Sequence, residues 1–245
     1  MFSSPKTLNV VILAAGRGER FAAAGVTVPK PLIEFRGTSL IQHSIHVAHE
    51  LRRGGGRIIV VATPQVAALS ATKVDVVVPV SVTQPGPIGS AILALAHLPL
   101  LEPVVFMDCD NYFPSEQRSW TAEVPCGETF LVVADKPANT DPRDFLNVDL
   151  PDGGRVSRIA EKTALNGRPK FGCGIYGFET AQMFRAHAFN ILSSIVKEPP
   201  MSAVTEAIHA QYSVAGVVAE AWLPIGTPAQ LMEALHVPQG PTTNE

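Results

Sequence analysis

The first half of the chain alternates short apolar runs with helix-like segments, and this alternation restricts the possible folds more than any other feature. The apolar runs have strand length and lie at residues 10–15, 57–62, 75–80 and 103–107. Apolar residues recur at helical spacing between them, at residues 39–53, 65–72 and 89–98. Strands and helices in this order are typical of a parallel sheet covered by helices on both faces. The sequence therefore predicts an α/β protein.

The second half of the chain changes character, because strand-like segments follow one another there without long helices between them. These segments lie at residues 129–134, 147–150, 155–160, 171–178 and 214–222, and helices are predicted at residues 180–196, 202–212 and 227–235. A Pro-Asp-Gly-Gly turn at residues 151–154 is typical of a hairpin. We expect an antiparallel extension of the parallel sheet within a single domain over residues 1–237, followed by a flexible tail over residues 238–245.

Composition and charge exclude several classes of protein. Apolar residues make up 46% of the 245 residues and charged residues 17%, so a sizeable core is expected. The formal net charge of −3 argues against a nucleic-acid-binding protein. The first apolar run is too short for a signal peptide, and no segment approaches the roughly 18 apolar residues that span a bilayer. Three scattered cysteines suggest neither disulfides nor a zinc site. We expect a soluble, cytoplasmic protein with no nucleic-acid or membrane partner.

The turn that ends the first strand has the composition of a polyphosphate-binding loop. Gly16 and Gly18 allow backbone N–H groups to approach phosphate oxygens, and Arg20 and Lys30 supply positive charge. Lys30 lies between two prolines, which fix the backbone around it. The dinucleotide-binding motif does not fit, because Phe21 stands where it requires its third glycine. The P-loop motif does not fit either, because it requires four residues between its glycines. An ordinary tight turn is the alternative interpretation of the two glycines.

Two carboxylates follow the apolar run at residues 103–107. Asp108 and Asp110 are one residue apart, at the predicted carboxyl end of a parallel strand, where open α/β sheets bind ligands. Carboxylates bind Mg²⁺, which bridges phosphate oxygens during phosphoryl chemistry. A solvated turn after the strand is the alternative.

Other reactive side chains give weaker signals. His43, His46 and His49 are three residues apart in a predicted helix, and a polar helix face explains this spacing better than a metal site. No neighbouring residue is expected to lower the pKa of the Cys109 or Cys173 thiol.

The segments LAAGRGERF and PKPL, taken together, resemble the opening of the sugar-phosphate nucleotidyltransferases. The resemblance implies a doubly wound, Rossmann-like fold of the nucleotide-diphospho-sugar transferase type, in which the first loop wraps a nucleoside triphosphate. Arg20 and Lys30 would then hold the phosphates as catalytic residues. The implied nucleotide-binding residues of this stretch are Ala14, Ala15, Gly16, Gly18, Arg20 and Lys30.

Further segments that resemble the family follow in the same order. QPGPIGSA resembles the base-reading segment and implies that Gln84 and Gly89 contact the nucleobase. MDCDN resembles the family's Gly-Asp-Asn, with Cys109 in place of the glycine, and implies that Asp110 is the metal ligand.

The sugar-phosphate half of the site is implied by two more segments. Glu161 and Lys162 match a Glu-Lys-Pro segment, although Thr163 replaces the proline. FGCGIY resembles a sugar-pocket strand with small residues facing the sugar. The implied substrate-binding residues are Asn111, Glu161, Lys162, Gly172 and Gly174, and Lys162 would also be catalytic.

One position departs from the family pattern. Residues 222–228 resemble W-x-D-x-G-T-P, but Pro224 stands where the family has its second metal aspartate. Asp108 is an addition to the usual pattern, and we expect it to supply the missing carboxylate and to contact the nucleotide. The alternatives are a metal held mainly by phosphates and water, or reduced activity.

The sequence thus predicts a Mg²⁺-dependent transfer of a nucleoside monophosphate from a triphosphate to a sugar 1-phosphate or a related small phosphate, with release of pyrophosphate. Such an enzyme serves nucleotide-sugar and polysaccharide biosynthesis and can form homo-oligomers. Two alternatives remain open. One is a glycosyltransferase with Asp108 and Asp110 as its metal motif, and the other is a non-catalytic nucleotide-binding protein.

Overall fold

The computed structural model describes residues 7–81, 86–137, 140–151, 154–194 and 198–237. The strands are β1 Asn9–Ala14, β2 Glu34–Phe35, β3 Thr38–Ser39, β4 Ile58–Ala62, β5 Val76–Pro79, β6 Val104–Asp108, β7 Asn111–Tyr112, β8 Phe130–Ala134, β9 Leu146–Asp149, β10 Arg158–Glu161, β11 Lys170–Phe178, β12 Ala215–Val218 and β13 Leu223–Pro224. The α-helices are α1 Glu19–Ala23, α2 Leu40–Leu51, α3 Pro64–Ser70, α4 Gly86–Ala94, α5 Ala181–Ser194, α6 Ser202–His209 and α7 Pro228–His236. Short 3₁₀ turns lie at Lys30–Leu32, Leu95–His97, Ser115–Gln117, Ser119–Ala122 and Pro142–Asp144.

Four parallel strands form the part of the sheet that the alternating pattern predicts. Their order is β6-β1-β4-β5, with β1 paired in parallel to both β4 and β6. The chain runs from β1 to one side and later returns to β6 on the other, so the strand order reverses beside β1. A reversal of this kind opens a crevice at the carboxyl ends of the strands, where doubly wound sheets bind ligands.

The antiparallel extension is also present. Strand β11 pairs antiparallel with β6, β8 and β9, and β10 pairs antiparallel with β9. Strand β12 lies parallel to β8 and completes a sheet of nine strands. The predicted fold class, a doubly wound, mostly parallel core with an antiparallel extension, is confirmed.

The predicted last strand, at residues 214–222, is wrong in its extent. Only Ala215–Val218 pairs with the main sheet, whereas Leu223–Pro224 pairs with β7 instead. The chain leaves the sheet after Val218 and returns to the carboxyl end of β6. This return brings residues 222–226, the return segment, to the predicted metal site.

Both faces of the central sheet are buried, which explains the continuous apolar runs. Val10 and Ile12 of β1 face one core cluster, whereas Val11 and Leu13 face the other. Fully buried strands of a parallel sheet show no polar alternation for this reason. A third, small cluster includes Phe21, Phe35 and Ile225, and it joins the first loop to the return segment beside the site.

Candidate active site

A cleft of about 450 Å³ opens at the carboxyl ends of β1 and β6, where the strand order reverses. Its lining combines the first loop, the lysine turn, the first turn of α4 and the end of β6. The lining residues are 13, 15–21, 30–31, 81, 86–87, 90, 108–110, 198 and 226. Its position and size fit a small-molecule ligand.

The two loop glycines differ in their reasons for being glycine. Gly18 is the N-cap of α1 with φ +62°, and a Cβ there would lie 3.2 Å from the Cβ of Lys30. Gly16 lines the cleft, and an added Cβ would have no protein atom within 4 Å. Gly18 is therefore required by the fold of the loop. At Gly16 the absence of a side chain leaves room only for a ligand in the cleft.

Lys30 reaches from its proline-bounded turn into the bottom of the cleft. Its Nζ donates to Asp110 Oδ2 at 2.5 Å and to the carbonyl oxygen of Gly226 at 3.4 Å, and it lies 5.9 Å from the centre of the Phe21 ring. Burial lowers the pKa of the Lys30 ammonium, but the adjacent Asp110 carboxylate outweighs this effect and the pKa is raised overall. Lys30 is thus a charged group held in the cleft by an internal ion pair.

Asp110 is positioned by a chain of hydrogen bonds from the return segment. Asn111 Nδ2 donates to Asp110 Oδ1 at 3.1 Å, and Trp222 Nε1 donates to Asn111 Oδ1 at 2.7 Å. Both oxygens of Asp110 are therefore engaged. Asn111, predicted as a substrate-binding residue, is buried and holds Asp110 in place.

Asp108 lies beside this pair. Burial and the charge of Asp110 raise the pKa of the Asp108 carboxyl to about 8, although the Lys30 cation lowers it in part. A Cβ at Gly174, which has φ +71°, would lie 3.0 Å from Asp108 Oδ2 and 2.5 Å from Asn111 Nδ2. The structure thus brings Gly174 to the acidic edge of the cleft, which Asp108 and Asp110 form. Two carboxylates and a lysine share a confined volume there.

Pro224 occupies the position expected from the sequence. It is buried and pairs with Asn111 across the β7–β13 ladder, and the next residue, Ile225, donates its N–H to the Asp110 carbonyl oxygen at 2.8 Å. Because the proline side chain has no oxygen, position 224 supplies no metal ligand next to Asn111. Among the described residues, no group of three or more His, Cys, Asp or Glu side chains could hold a metal ion. The donor set present, Asp108 with Asp110, fits Mg²⁺ only if phosphate and water oxygens complete its coordination.

The arginines of the first loop have different environments. Arg17 pairs with Glu19 at 3.1 Å and with Glu198 at 3.2 Å, and all three residues line the cleft. Arg20 is exposed on the cleft wall and has no ion-pair or hydrogen-bond partner within the described ranges. The sequence analysis missed Arg17 and Glu198. Arg17 has no distinguishing signal beside Arg20, and Glu198 is far in sequence from the lining residues on either side of it, Asp110 and Gly226.

The predicted base-reading segment is described only in part. Gln84 lies outside the described residues. Gly89 is buried within α4, and the first turn of that helix presents Gly86, Pro87 and Ser90 to the cleft. Gly86 has φ +66° and packs against Glu198, where an added Cβ would lie 3.1 Å from the Glu198 Cβ. Ala14 is buried at the end of β1 and does not line the cleft, whereas its neighbours Leu13 and Ala15 do.

Apart from Asn111 in β7, the predicted sugar-phosphate residues lie in the antiparallel extension, outside the lining of the cleft. Glu161 ends β10, and its carboxylate accepts a hydrogen bond from Ser202 Oγ at 2.7 Å. Lys162 is exposed and has a left-handed backbone, with φ +51°. A non-glycine residue in this region is uncommon and often lies at a functional site. At Gly172 an added Cβ would lie 2.7 Å from Leu146 Cδ2, so a larger residue would require the Leu146 side chain to shift.

Of the other candidates, the cysteines agree with the sequence analysis, whereas one histidine does not. Burial raises the pKa of the Cys109 thiol to about 12 and the pKa of Cys173 well above its ordinary value. Neither thiol is activated. The prediction of a polar face with three histidines is wrong for His43, which is buried and accepts a hydrogen bond from the Phe113 N–H at 3.0 Å, whereas His46 and His49 are exposed. Within the described ranges, no helix is long and apolar enough to cross a membrane.

Solved structures of nucleotidyltransferases share this fold over nearly the whole chain. The inositol-1-phosphate CTP transferase of T. maritima aligns with a TM-score of 0.71 and 19% identity, covering 93% of this chain and 95% of its own. A Bacillus anthracis protein assigned as a glucose-1-phosphate thymidylyltransferase gives a TM-score of 0.74 and 16% identity, covering 96% and 98%. The CTP:phosphocholine cytidylyltransferase of Streptococcus pneumoniae gives 0.72 and 16%, covering 94% and 98%. At these identities the likeness establishes the fold alone.

The sequence itself identifies the family. The model of the MobA-like NTP transferase domain matches residues 10–141, just over half of the chain, and this segment contains the first loop, Lys30, α4 and both aspartates. This chain therefore belongs to the MobA-like NTP transferase domain family, as the resemblance to nucleotidyltransferases indicates. No curated protein sequence matches it significantly.

Proposed function

We propose that this protein transfers a nucleoside monophosphate from a nucleoside triphosphate to a small phosphorylated acceptor, with a sugar 1-phosphate as the first candidate, and releases pyrophosphate. One observation carries the proposal. The cations of the first loop and the lysine turn meet the carboxylates of Asp108 and Asp110 in one cleft. Phosphate-binding cations beside potential metal ligands are the groups that phosphoryl transfer requires.

The reaction needs positioning rather than proton transfer. An oxygen of the acceptor phosphate attacks the α-phosphorus and forms a new P–O bond, while the bond between the α-phosphorus and the α–β bridging oxygen breaks. The bridging electrons leave with pyrophosphate. The attacking phosphate is already anionic, so no general base is required. Arg20 and Lys30 bind the triphosphate and stabilise the leaving pyrophosphate, and Lys162 orients the acceptor phosphate.

Mg²⁺ is the metal we propose, and when bound it neutralises charge on the α-phosphate. Asp110 and Asp108 are the residues that would hold it, with phosphate and water oxygens in place of the carboxylate that Pro224 lacks. In the present arrangement Lys30 Nζ is bonded to Asp110 Oδ2. Triphosphate oxygens offer Lys30 new partners, and its departure frees Asp110 as a ligand. Asp110 would therefore be available to hold a metal only after a bound triphosphate has drawn Lys30 away.

The cellular setting follows from the substrate. Nucleoside triphosphates are cytoplasmic metabolites, and Cys109 and Cys173 are buried thiols that form no disulfide bond, as expected in a reducing compartment. We therefore place the activity in the cytoplasm, where activated sugars for polysaccharide synthesis are made.

The direct test measures pyrophosphate release. The purified protein is mixed with each of the common nucleoside triphosphates, Mg²⁺ and an acceptor panel of glucose 1-phosphate, inositol 1-phosphate and phosphocholine. We expect release with at least one pair. Nucleotide binding without pyrophosphate release from any pair would favour a non-catalytic protein, and sugar transfer from a nucleotide sugar would favour a glycosyltransferase.

The two aspartates are tested by isosteric replacement. Asp110→Asn keeps the shape but removes the carboxylate, so we expect kcat/KM to fall at least about 100-fold. Asp108→Asn should raise the Mg²⁺ concentration for half-maximal activity about tenfold. Asp144→Asn, at an exposed position in a 3₁₀ turn, is the matched control and should behave as the wild type. An unchanged Mg²⁺ dependence in Asp108→Asn would show that Asp108 does not hold the metal.

A further inference from the structure

A side-chain hydrogen bond joins the start of α6 to the end of β10. Ser202 is the first residue of α6, and its Oγ donates to Glu161 Oε2 at 2.7 Å. Ser202 is 1% exposed, and the bond to the half-buried Glu161 is partly shielded from water. A charge-assisted bond of this length restricts the rotamer of the Glu161 side chain.

The position of Ser202 is itself fixed by the packing of α6 against β10. One end of the helix is tied to Glu161 by Ser202, and near its other end His209 Nε2 bonds the carbonyl oxygen of Ser157 at 3.2 Å. Val204 and Ile208 are fully buried between these two polar contacts. The hydroxyl therefore has little freedom to move away from Glu161.

The second oxygen of Glu161 is available. Oε2 accepts from Ser202, whereas Oε1 has no hydrogen-bond partner within the described ranges and is not among their buried polar atoms without partners. Glu161 pairs with Leu146 across the β9–β10 ladder, and Leu146 packs on Gly172 of β11, two residues before the Gly174 that lies against Asp108. One oxygen of Glu161 is thus held, and the other has no partner among the described residues, on the stretch of the extension that leads to Asp108.

We infer that Ser202 is a positioning residue for the acceptor substrate. Its hydroxyl holds one oxygen of Glu161, so that the other Glu161 oxygen accepts a hydrogen bond from a hydroxyl group of that substrate. The inference rests on the proposed function and narrows the acceptor to a phosphate that carries hydroxyl groups. An anchored carboxylate suits a directional O–H donor.

A quaternary ammonium acceptor fits this region less well. Such a group is recognised by open aromatic faces. Tyr176 and Trp222, aromatic residues near Asp108 and Asn111, are only 7% and 6% exposed, and the Trp222 N–H is bonded to Asn111. Phe145, whose carbonyl oxygen accepts the Lys162 N–H, is half-buried, and its ring makes T-shaped contacts with Phe171 and Trp222. Because these rings pack into the core, the geometry favours a polyol or sugar phosphate over phosphocholine.

The experiment is a steady-state analysis of Ser202→Ala with glucose 1-phosphate, or with inositol 1-phosphate if the wild type prefers it. We expect the acceptor KM to rise about tenfold, while the KM of the nucleoside triphosphate stays unchanged. In a Glu161→Ala background, Ser202→Ala should cause no further rise, because the hydroxyl acts through that carboxylate. A purely structural role would add to the effect of Glu161→Ala and would raise both KM values.

Ser70→Ala is the matched control. Ser70 is another fully buried helix serine, but its hydroxyl bonds the carbonyl oxygen of Val66 in its own helix, at the opposite edge of the sheet. It should leave both KM values unchanged. An unchanged acceptor KM in Ser202→Ala, additive effects, or a wild type that uses phosphocholine alone would overturn the inference while leaving nucleotidyl transfer intact. A wild type without turnover on any acceptor would instead remove the proposed function, and this inference with it.

Discussion

Lys30 is the residue on which the candidate site depends most. It bonds Asp110 at 2.5 Å, and it also reaches the Gly226 carbonyl oxygen in the return segment. The pair is largely withdrawn from water, because the Lys30 side chain is 17% exposed and that of Asp110 is 29% exposed. An ion pair in this environment is costly to leave half-satisfied, so each partner needs a replacement when the other departs. A triphosphate and a metal ion would replace both partners at once.

Replacement of Lys30 by methionine tests this exchange without measuring catalysis. Lys30→Met removes the cation from Asp110, so we expect the nucleotide-free protein to bind Mn²⁺ about tenfold more tightly, which corresponds to about 1.4 kcal/mol. Nucleotide affinity should fall, because a phosphate partner is lost. Metal binding is measured by electron paramagnetic resonance and nucleotide binding by calorimetry.

Lys170→Met serves as the control for this prediction, because Lys170 also pairs with an aspartate, Asp135, at 2.7 Å but lies outside the cleft. It should change neither affinity. If Lys30→Met binds Mn²⁺ no better than the wild type, Lys30 and the metal do not compete for Asp110.

At the scale of the elements, the first loop and α1 form the part of the cleft that we propose binds phosphate. The loop ends at Gly18 in a left-handed conformation, and α1 closes with Gly25 at φ +81° after only five residues. A helix this short gains little stability from its own hydrogen bonds. It is instead held by Phe21, which is 2% exposed in the small cluster beside the site. Sequence alone identifies the glycines of this loop but not which of them the fold requires.

Three glycine-to-alanine variants separate folding from binding in this loop. Gly18→Ala should lower the free energy of unfolding by about 1–2 kcal/mol and also weaken nucleotide binding, because the residue is left-handed and abuts Lys30. Gly25→Ala carries the same strain away from the cleft, so it should lower stability alone. Gly16→Ala meets no protein atom and should weaken nucleotide binding alone.

Urea unfolding and calorimetric titration with a nucleoside triphosphate supply the two readouts. A stable Gly16→Ala variant with unaltered nucleotide affinity would show that phosphate does not approach the loop at that point.

For the whole molecule, the packing of His43 of α2 against the connection after β6 makes the free energy of unfolding depend on pH. His43 of α2 accepts the Phe113 N–H, stacks on Tyr112 with ring centres 4.4 Å apart, and faces the charges of Arg118 and His46. Burial, together with these cations, lowers the pKa of His43 to about 3. The neutral ring is therefore part of the folded core.

We expect the free energy of unfolding to fall as the pH falls from about 6.5 to 3. In this interval the unfolded chain binds a proton at His43 that the folded protein excludes, so the contribution is fully present above pH 6.5 and is lost on acidification. The loss from this residue is at most about 5 kcal/mol. Urea unfolding at a series of pH values measures it.

The control for this prediction compares two glutamine variants. His43→Gln retains an acceptor for the Phe113 N–H but does not titrate, so its stability should depend less steeply on pH over this interval. His97→Gln, at an exposed position, should follow the wild type. Equal pH slopes for His43→Gln and the wild type would contradict the assignment.

Sequence by itself determined the class of fold and the carriers of charge. Buried parallel strands must be continuously apolar, and a loop that approaches phosphate needs glycine and cations, so β1, Gly16, Lys30 and Asp110 could be recognised from local pattern. Pro224, by contrast, was identified only through the resemblance of residues 222–228 to the nucleotidyltransferase pattern W-x-D-x-G-T-P.

Only the tertiary structure decided which charges meet. The ion pairs Lys30–Asp110 and Arg17–Glu198 join residues 80 and 181 positions apart, and the Ser202–Glu161 bond spans 41. Such partners are selected by where the return segment and α6 pack against the sheet, and no periodicity in the sequence encodes those distances. The same packing buries His43 and leaves Arg20 exposed on the cleft wall. The residue types thus indicate which side chains can carry chemistry, whereas the packing of the folded core determines which of them meet.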